Sequence, residues 1–298
     1  MAIRPVLNHA IILVSHEFLE DPPESALALF NLTPASQRGD NDHQPLSRRA
    51  HFEDGTYLEF IAFPPVTDPE ARKEHRYGQC EEGTVVDWAI RFASDEAEPD
   101  DETWHDVFDA MQLRVRDSGT GVIYMQPDPA QGEIASFADH GGHLEWRREL
   151  DMIPSEVPYW VLRRAGEQHV TKHHPSGITG LAGVEVRIRA GPERVRSEHR
   201  FGLLWETFQT LFGSEPVDVV DERKKIDNWE WSIGGEETQR RIRLVSPPDM
   251  ARNVEVGLDL VKAGGEVVRL ELEGEEMRLG PRPPLVEYRK DYHWEWMR

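Results

Sequence analysis

The chain has 298 residues, 38% of them hydrophobic and 30% charged, and its nine Trp and eleven Phe supply enough apolar volume for one large core or two ordinary ones. A formal net charge of −21 at pH 7 repels phosphate backbones and anionic headgroups. Arg147-Arg148 and Arg163-Arg164 are the nearest approaches to a basic patch, so neither nucleic acid nor a membrane surface is expected as a partner. Cys80 is the single cysteine, which excludes an intramolecular disulfide. The first residues lack the marks of a signal peptide, and no apolar run approaches the roughly 20 residues of a membrane helix, so a cytoplasmic location is expected.

Residues 6–14 are apolar apart from Asn8-His9, the pattern of a strand buried on both faces, with His9, Ile11 and Leu13 on one side. After Pro22-Pro23, Glu24 to Phe30 has helical spacing and stops before Thr33-Pro34. The polar stretch from Ser36 to Pro45 reads as a loop. Arg49 to Glu53 and Thr56 to Phe63 read as strands joined by the turn pair Asp54-Gly55. A linker from Thr67 to Gly83 leads to the strand Thr84 to Phe92, where Val86-Asp87-Trp88-Ala89 repeats Leu7-Asn8-His9-Ala10 with Asp for Asn and Trp for His. An acidic turn, Asp95 to Asp101, precedes a helix from Asp101 to Leu113 with Trp104, Val107, Phe108 and Met111 on one face. Strands at Val122 to Met125, Leu144 to Leu150 and Pro158 to Arg163 then complete the same order of elements.

From His174-Pro175-Ser176-Gly177 the order starts again, with Gly180 to Ile188 as strand and Glu193 to Phe212 as helix. Strands follow near Val217, Trp229 and Ile242 to Val245. Leu211-Phe212-Gly213-Ser214-Glu215-Pro216 echoes Leu29-Phe30-Asn31-Leu32-Thr33-Pro34 at the same place in that order. A shorter fourth segment, Val254 to Leu260 and Val267 to Leu272, is its partner. Gly234-Gly235 and Gly264-Gly265 read as hairpin turns, and Tyr292 to Trp296 alternates like an edge strand that packs on another module or on a second subunit. The expected division is a domain of two paired modules over 1–172 and a second domain of related, partly degenerate modules over 173–298.

Several of these segments resemble the glyoxalase-like branch of the vicinal oxygen chelate superfamily. They are Leu7 to Val14, Asp54-Gly55-Thr56-Tyr57-Leu58-Glu59, His75-Arg76-Tyr77-Gly78 with Gly83 to Ala89, and His174 to Gly180. The resemblance implies an α+β fold of repeated β-α-β-β-β modules whose curled mixed sheets form a cup. In metal-using members a first-strand His and a last-strand Glu join equivalents from another module to hold a divalent ion, and His9 and Glu59 match that pair. The second module has Trp88 at the first position and no carboxylate in Pro158 to Leu162, and the third has Gly183. Two ligands fall short of a catalytic zinc site unless His51, His75 or His143 supplies a third. The cofactor is therefore either a divalent metal or none.

His9 opposite Glu59 is also an acid-base pair in which the carboxylate would fix the imidazole tautomer, while the plainer alternative is a hydrogen-bonded strand histidine. Buried Glu59 needs a partner under either reading. His51, Tyr57, Trp88, His143 and Trp160 are the candidate substrate-binding residues; both tryptophans have an alternative reading as core. Cys80, followed by Glu81-Glu82, makes an unconvincing nucleophile. The function expected is that of a small-molecule enzyme of isomerase or lyase type, transferring a proton at an activated carbonyl in the cup of the first two modules. The alternative is a metal-free binding or sequestering protein on the same scaffold, and a homodimer is open in either case.

Overall fold

The computed structural model describes residues 3–37, 45–94, 101–124, 134–136, 138–139, 156–163, 172–188, 194–213, 217–218, 227–234, 240–246, 254–273 and 276–281. The expected strand at Leu144 to Leu150, the acidic turn after Asp95, the edge strand at Tyr292 to Trp296 and His143 lie outside them.

Strand β1 (Ile3–Leu13) is followed by α1 (His16–Glu20), started by the Ser15 hydroxyl accepting from the Phe18 N–H, and by α2 (Glu24–Leu29). The short strand β2 (Ser36–Gln37) leads to β3 (Leu46–His51) and β4 (Tyr57–Ala62). The segment 67–83, expected to be a linker, contains α3 (Pro69–Glu74). Asp68 caps it and Pro69 begins it, a start signal that the surrounding polar residues obscure. The second module comprises β5 (Thr84–Ser94), α4 (Asp101–Asp117), β6 (Ile123–Tyr124), β7 (Ile134–Ser136), β8 (Ala138–Asp139) and β9 (Tyr159–Arg163). The third comprises β10 (Ile178–Ile188), α5 (Arg194–Phe212), β11 (Val217–Asp218), β12 (Asp227–Ile233) and β13 (Arg240–Ser246). Strands β14 (Val254–Lys262), β15 (Val267–Glu273) and β16 (Glu276–Pro281) end the described chain.

The fold is α+β, with two curled mixed sheets in the orders β2-β3-β4-β1-β5-β9-β7 and β11-β12-β13-β10-β14-β15-β16. In the first sheet β1 runs parallel to β4 and antiparallel to β5, and β5 runs parallel to β9. Two modules thus meet along β1 and β5. The second sheet repeats this on β10, which is parallel to β13 and antiparallel to β14. Its register shifts between Leu181 and Gly183, as that of β1 does between Leu7 and His9, so the bulge is duplicated with the strand. The fourth segment departs from the module order. No helix separates β14 from β15, so the chain turns directly over Gly264-Gly265, both at positive φ, and the two strands pair antiparallel instead of parallel.

One hydrophobic core runs through the helix-bearing faces of both sheets. Trp88 of β5 and Trp231 of β12 both meet the edge of Phe208 on α5, at centroid distances of 6.1 and 5.5 Å. A smaller cluster of Ile11, Leu13, Ile61, Phe63, Tyr77, Val86, Ala89, Tyr159 and Val161 covers the opposite face of the first sheet. The halves are joined where the Leu181 N–H donates to Thr56 Oγ1 (3.0 Å) and Arg240 pairs with Asp54. A Cβ on Gly180 would meet the Asp54 carboxylate, which would have to give up its bonds to Thr56 and Arg240 to make room. Among the described residues no helix is long and apolar enough to cross a membrane.

Candidate active site

The site is built on the bulge in β1. The extra residue there, Asn8, directs its amide toward the neighbouring imidazole, and Asn8 Oδ1 lies 2.6 Å from His9 Nδ1. His9 points to the face that carries Ile11 and Leu13, as its strand alternation predicts. In register, His9 faces Ala89 on β5, which faces Tyr159 on β9. The small alanine leaves room for the tyrosine to reach across it, and the Tyr159 hydroxyl hydrogen-bonds His9 Nε2. Asn8 Oδ1 can only accept, which puts the imidazole proton on Nδ1 and leaves Nε2 as the acceptor for the phenol. His9 is 0% and Tyr159 1% exposed. On its other side the imidazole stacks on Tyr57 at 4.2 Å, and Tyr57 stacks on half-buried His51 at 5.2 Å.

Glu59 lies one register step further along the same face, opposite Ile11 on β1 and Arg49 on β3. Its Oε1 accepts from Arg49 Nε (3.1 Å) and Nη2 (2.9 Å), and the guanidinium lies 5.4 Å from the centre of the Tyr57 ring. The mirror arrangement stands on the other flank of Ile11. There Asp87 of β5 accepts from Arg76 Nε and from the Tyr77 hydroxyl, both at 2.9 Å. Burial pushes the Asp87 carboxyl up, against the pull of Arg76 and Tyr77. Burial also works against the charge on Arg76, but Asp87 outweighs it and holds the guanidinium above its ordinary value. Cys80 is raised to about 11, by burial first and then by Asp87, which removes it as a nucleophile near neutral pH.

The structure brings His9, Tyr57, His51 and Glu59 to one face and separates them from the two tryptophans. Trp88 pairs with Ala10 and Trp160 stacks on Phe92 at 4.1 Å, both fully buried in the main core on the opposite face. The expectation that they wall the cup is corrected: strand alternation turns the indoles away from His9. The expected His9–Glu59 pairing is likewise replaced by a Tyr159–His9–Asn8 chain and an Arg49–Glu59 pair.

The donor set does not fit a metal ion. Nε2 of His9 is taken by Tyr159, and Oε1 of Glu59 by the Arg49 guanidinium. His75, at the end of α3, accepts from the Tyr77 N–H at 3.1 Å. Among the described residues no three His, Cys, Asp or Glu side chains group as ligands.

Tyr159, Arg49 and Arg76 complete the site and were not among the candidate site residues, although Arg76 stands in the His75-Arg76-Tyr77-Gly78 segment. Arg49 could have been found by counting back from the Asp54-Gly55 turn, since pairing His51 with Tyr57 puts Arg49 opposite Glu59. Tyr159 could not, because its position depends on the pairing of β5 with a strand some 70 residues away.

Beside His9 a buried donor is left over. Asn8 Nδ2 is buried, in a residue 1% exposed, and has no hydrogen-bond acceptor among the described residues. Such a donor costs about 1–3 kcal/mol.

In the second sheet Ala182-Gly183 stand where β1 has Asn8-His9, and the corresponding face is filled by ions. Glu185 accepts from Arg269 Nη1 and Nη2 (3.1 and 2.9 Å), Arg243 Nη1 (2.7 Å) and Arg187 Nε (2.7 Å). Burial disfavours its charge, yet Arg269 and Arg187 outweigh that and hold it far below the usual carboxylate range.

No protein-family model matches the chain, and comparison with curated proteins returns no match. Among solved structures it is similar to a mutant of 4-hydroxymandelate synthase from Streptomyces coelicolor, at 14% identity and a TM-score of 0.41, over 81% of this chain. The match spans 62% of that structure's chain, and the fold described above stands on its own strand order.

Proposed function

We propose that the protein is a small-molecule enzyme of isomerase or lyase type that moves a proton at a carbon next to a carbonyl, with Tyr159 and His9 as the working pair. The observation that supports this is the buried hydrogen bond from the Tyr159 hydroxyl to His9 Nε2, with Asn8 fixing the opposite nitrogen. With the imidazole proton on Nδ1, Nε2 is the acceptor and the phenol keeps its proton at rest. As the Tyr159 oxygen takes a proton from the substrate carbon, its own proton passes to His9 Nε2. The substrate becomes an enolate and His9 an imidazolium. Return of the proton to another carbon gives isomerisation, and loss of a leaving group from the enolate gives elimination. Such positioned proton transfer contributes about 10²–10⁴ in rate. Glu59 acts as a positioning residue through Arg49 and Tyr57, and His51 and Tyr57 contact the substrate. Because the pair is buried, turnover requires that this face open transiently.

The stacked row His51–Tyr57–His9 favours a second reading, a site that holds a flat ligand without turning it over. Incubating the protein in D2O with a panel of 2-oxo acids, ketones and enones, and following deuterium at the carbon next to the carbonyl by NMR, separates the two. Exchange that Tyr159→Phe reduces at least 100-fold, with an unchanged near-UV circular dichroism spectrum, supports the enzyme. Ligand binding without exchange supports the second reading.

A further inference from the structure

We infer that Asn8 is a substrate-binding residue whose Nδ2 donates to the carbonyl oxygen of the substrate and stabilises the oxyanion formed there. The site would therefore take a carbonyl compound placed with its oxygen at Asn8 and its acidic carbon at Tyr159. This rests on the proton-transfer reading above. The amide is 1% exposed and adjacent to the imidazole, and one end of it is committed to His9 Nδ1 at 2.6 Å. The other end is a buried donor with no acceptor among the described residues. Next to an acid-base pair, such a donor is placed to meet a ligand oxygen. The bulge that carries Asn8 recurs in β10, where its extra residue is Ala182, followed by Gly183, and the face is packed with ion pairs. The amide and the imidazole thus occur together and are absent together.

The position also couples the two halves of the reaction. When His9 receives the proton from Tyr159, its Nδ1–H becomes a stronger donor to Asn8 Oδ1. That polarises the amide and makes Nδ2–H a stronger donor at the moment negative charge reaches the substrate oxygen. The proton and the charge move on opposite sides of one amide.

The chain has five asparagines, so the side-chain amides of ¹⁵N-labelled protein can be followed individually, with Asn8 identified as the pair missing in Asn8→Asp. Pyruvate and methyl pyruvate serve as probes. The Asn8 amide protons are expected to move downfield by more than about 0.3 ppm on saturation, as a new acceptor is engaged. Asn8→Asp keeps the acceptor for His9 and removes the donor, so deuterium exchange is expected to fall about 10²–10³-fold with little change in KM. A wild-type exchange rate in Asn8→Asp, or an Asn8 amide that stays in place while the His9 ring signals shift or with neither probe effective, overturns the assignment. If the Asn8 amide shifts but Tyr159→Phe exchanges normally, Asn8 still binds the oxygen and the Tyr159–His9 reading fails instead.

Discussion

Glu59 shows how a residue changes role once its neighbour is known. In the strand Tyr57–Ala62 a carboxylate between Leu58 and Phe60 requires a partner, and the hairpin register supplies Arg49, whose side chain is 31% exposed while that of Glu59 is 0%. This asymmetry orders the effects of the two deletions. Glu59→Gln frees a guanidinium that can turn to water, with an expected loss of about 2 kcal/mol. Arg49→Ala strands a buried carboxylate, with an expected loss of about 3–5 kcal/mol. Urea unfolding of both variants measures the order. If Glu59→Gln leaves the midpoint unchanged, Glu59 does not hold Arg49 in the folded protein.

At the scale of the element, the duplicated first strand has been put to opposite uses. In β1 the bulge presents an amide and an imidazole; in β10 it presents Ala182 and Gly183 beside a closed ionic network. Gly257 on β14 permits that network. A Cβ there would lie 2.0 Å from Arg269 Nη1, and the guanidinium is pinned at both Glu185 and Asp259, so it cannot swing aside cheaply. Gly257→Ala is therefore expected to destabilise the protein by about 2–4 kcal/mol, measured by urea unfolding. A neutral result would mean that Arg269 leaves the network freely. The fourth segment was legible in part: Gly264-Gly265 marked a turn correctly, but the missing helix, and with it the reversal of strand direction, changed how that turn is used.

Across the whole molecule, His174 ties the halves together. Its Nδ1 accepts from the Asn31 N–H (2.9 Å), its Nε2–H donates to the His51 carbonyl (2.9 Å), and Phe30 and Phe52 meet its ring edge-on. The groups nearby are exposed His173 and its partner Glu53. Burial, foremost, lowers the His174 pKa below 6.5, against the opposing pull of the His51 carbonyl and Glu53. A proton on Nδ1 would face the Asn31 N–H. The sign follows: above pH 6.5 His174 is neutral in both states and its contribution is intact. As pH falls from 6.5 toward its folded value, the unfolded chain takes up a proton that the folded chain does not, and stability is lost. Thermal midpoints between pH 7.5 and 5 should fall in the wild type and fall less steeply in His174→Gln. Parallel slopes would remove His174 as the cause.

The sequence alone determined the long strands β1, β4, β5 and β10, the order of elements in the first and third modules, the turn at Asp54-Gly55 and the presence of His9 and Glu59 on inward-facing positions, because hydrophobic period and turn chemistry are local properties. It did not determine partners. The pairing of β5 with β9 brings Tyr159 to His9, hairpin register brings Arg49 to Glu59, and strand alternation turns Trp88 and Trp160 into the core on the other face. Each depends on which strands adjoin and in what register, and a shift of one residue would reverse every side chain. Tertiary pairing therefore decided the chemistry of the site.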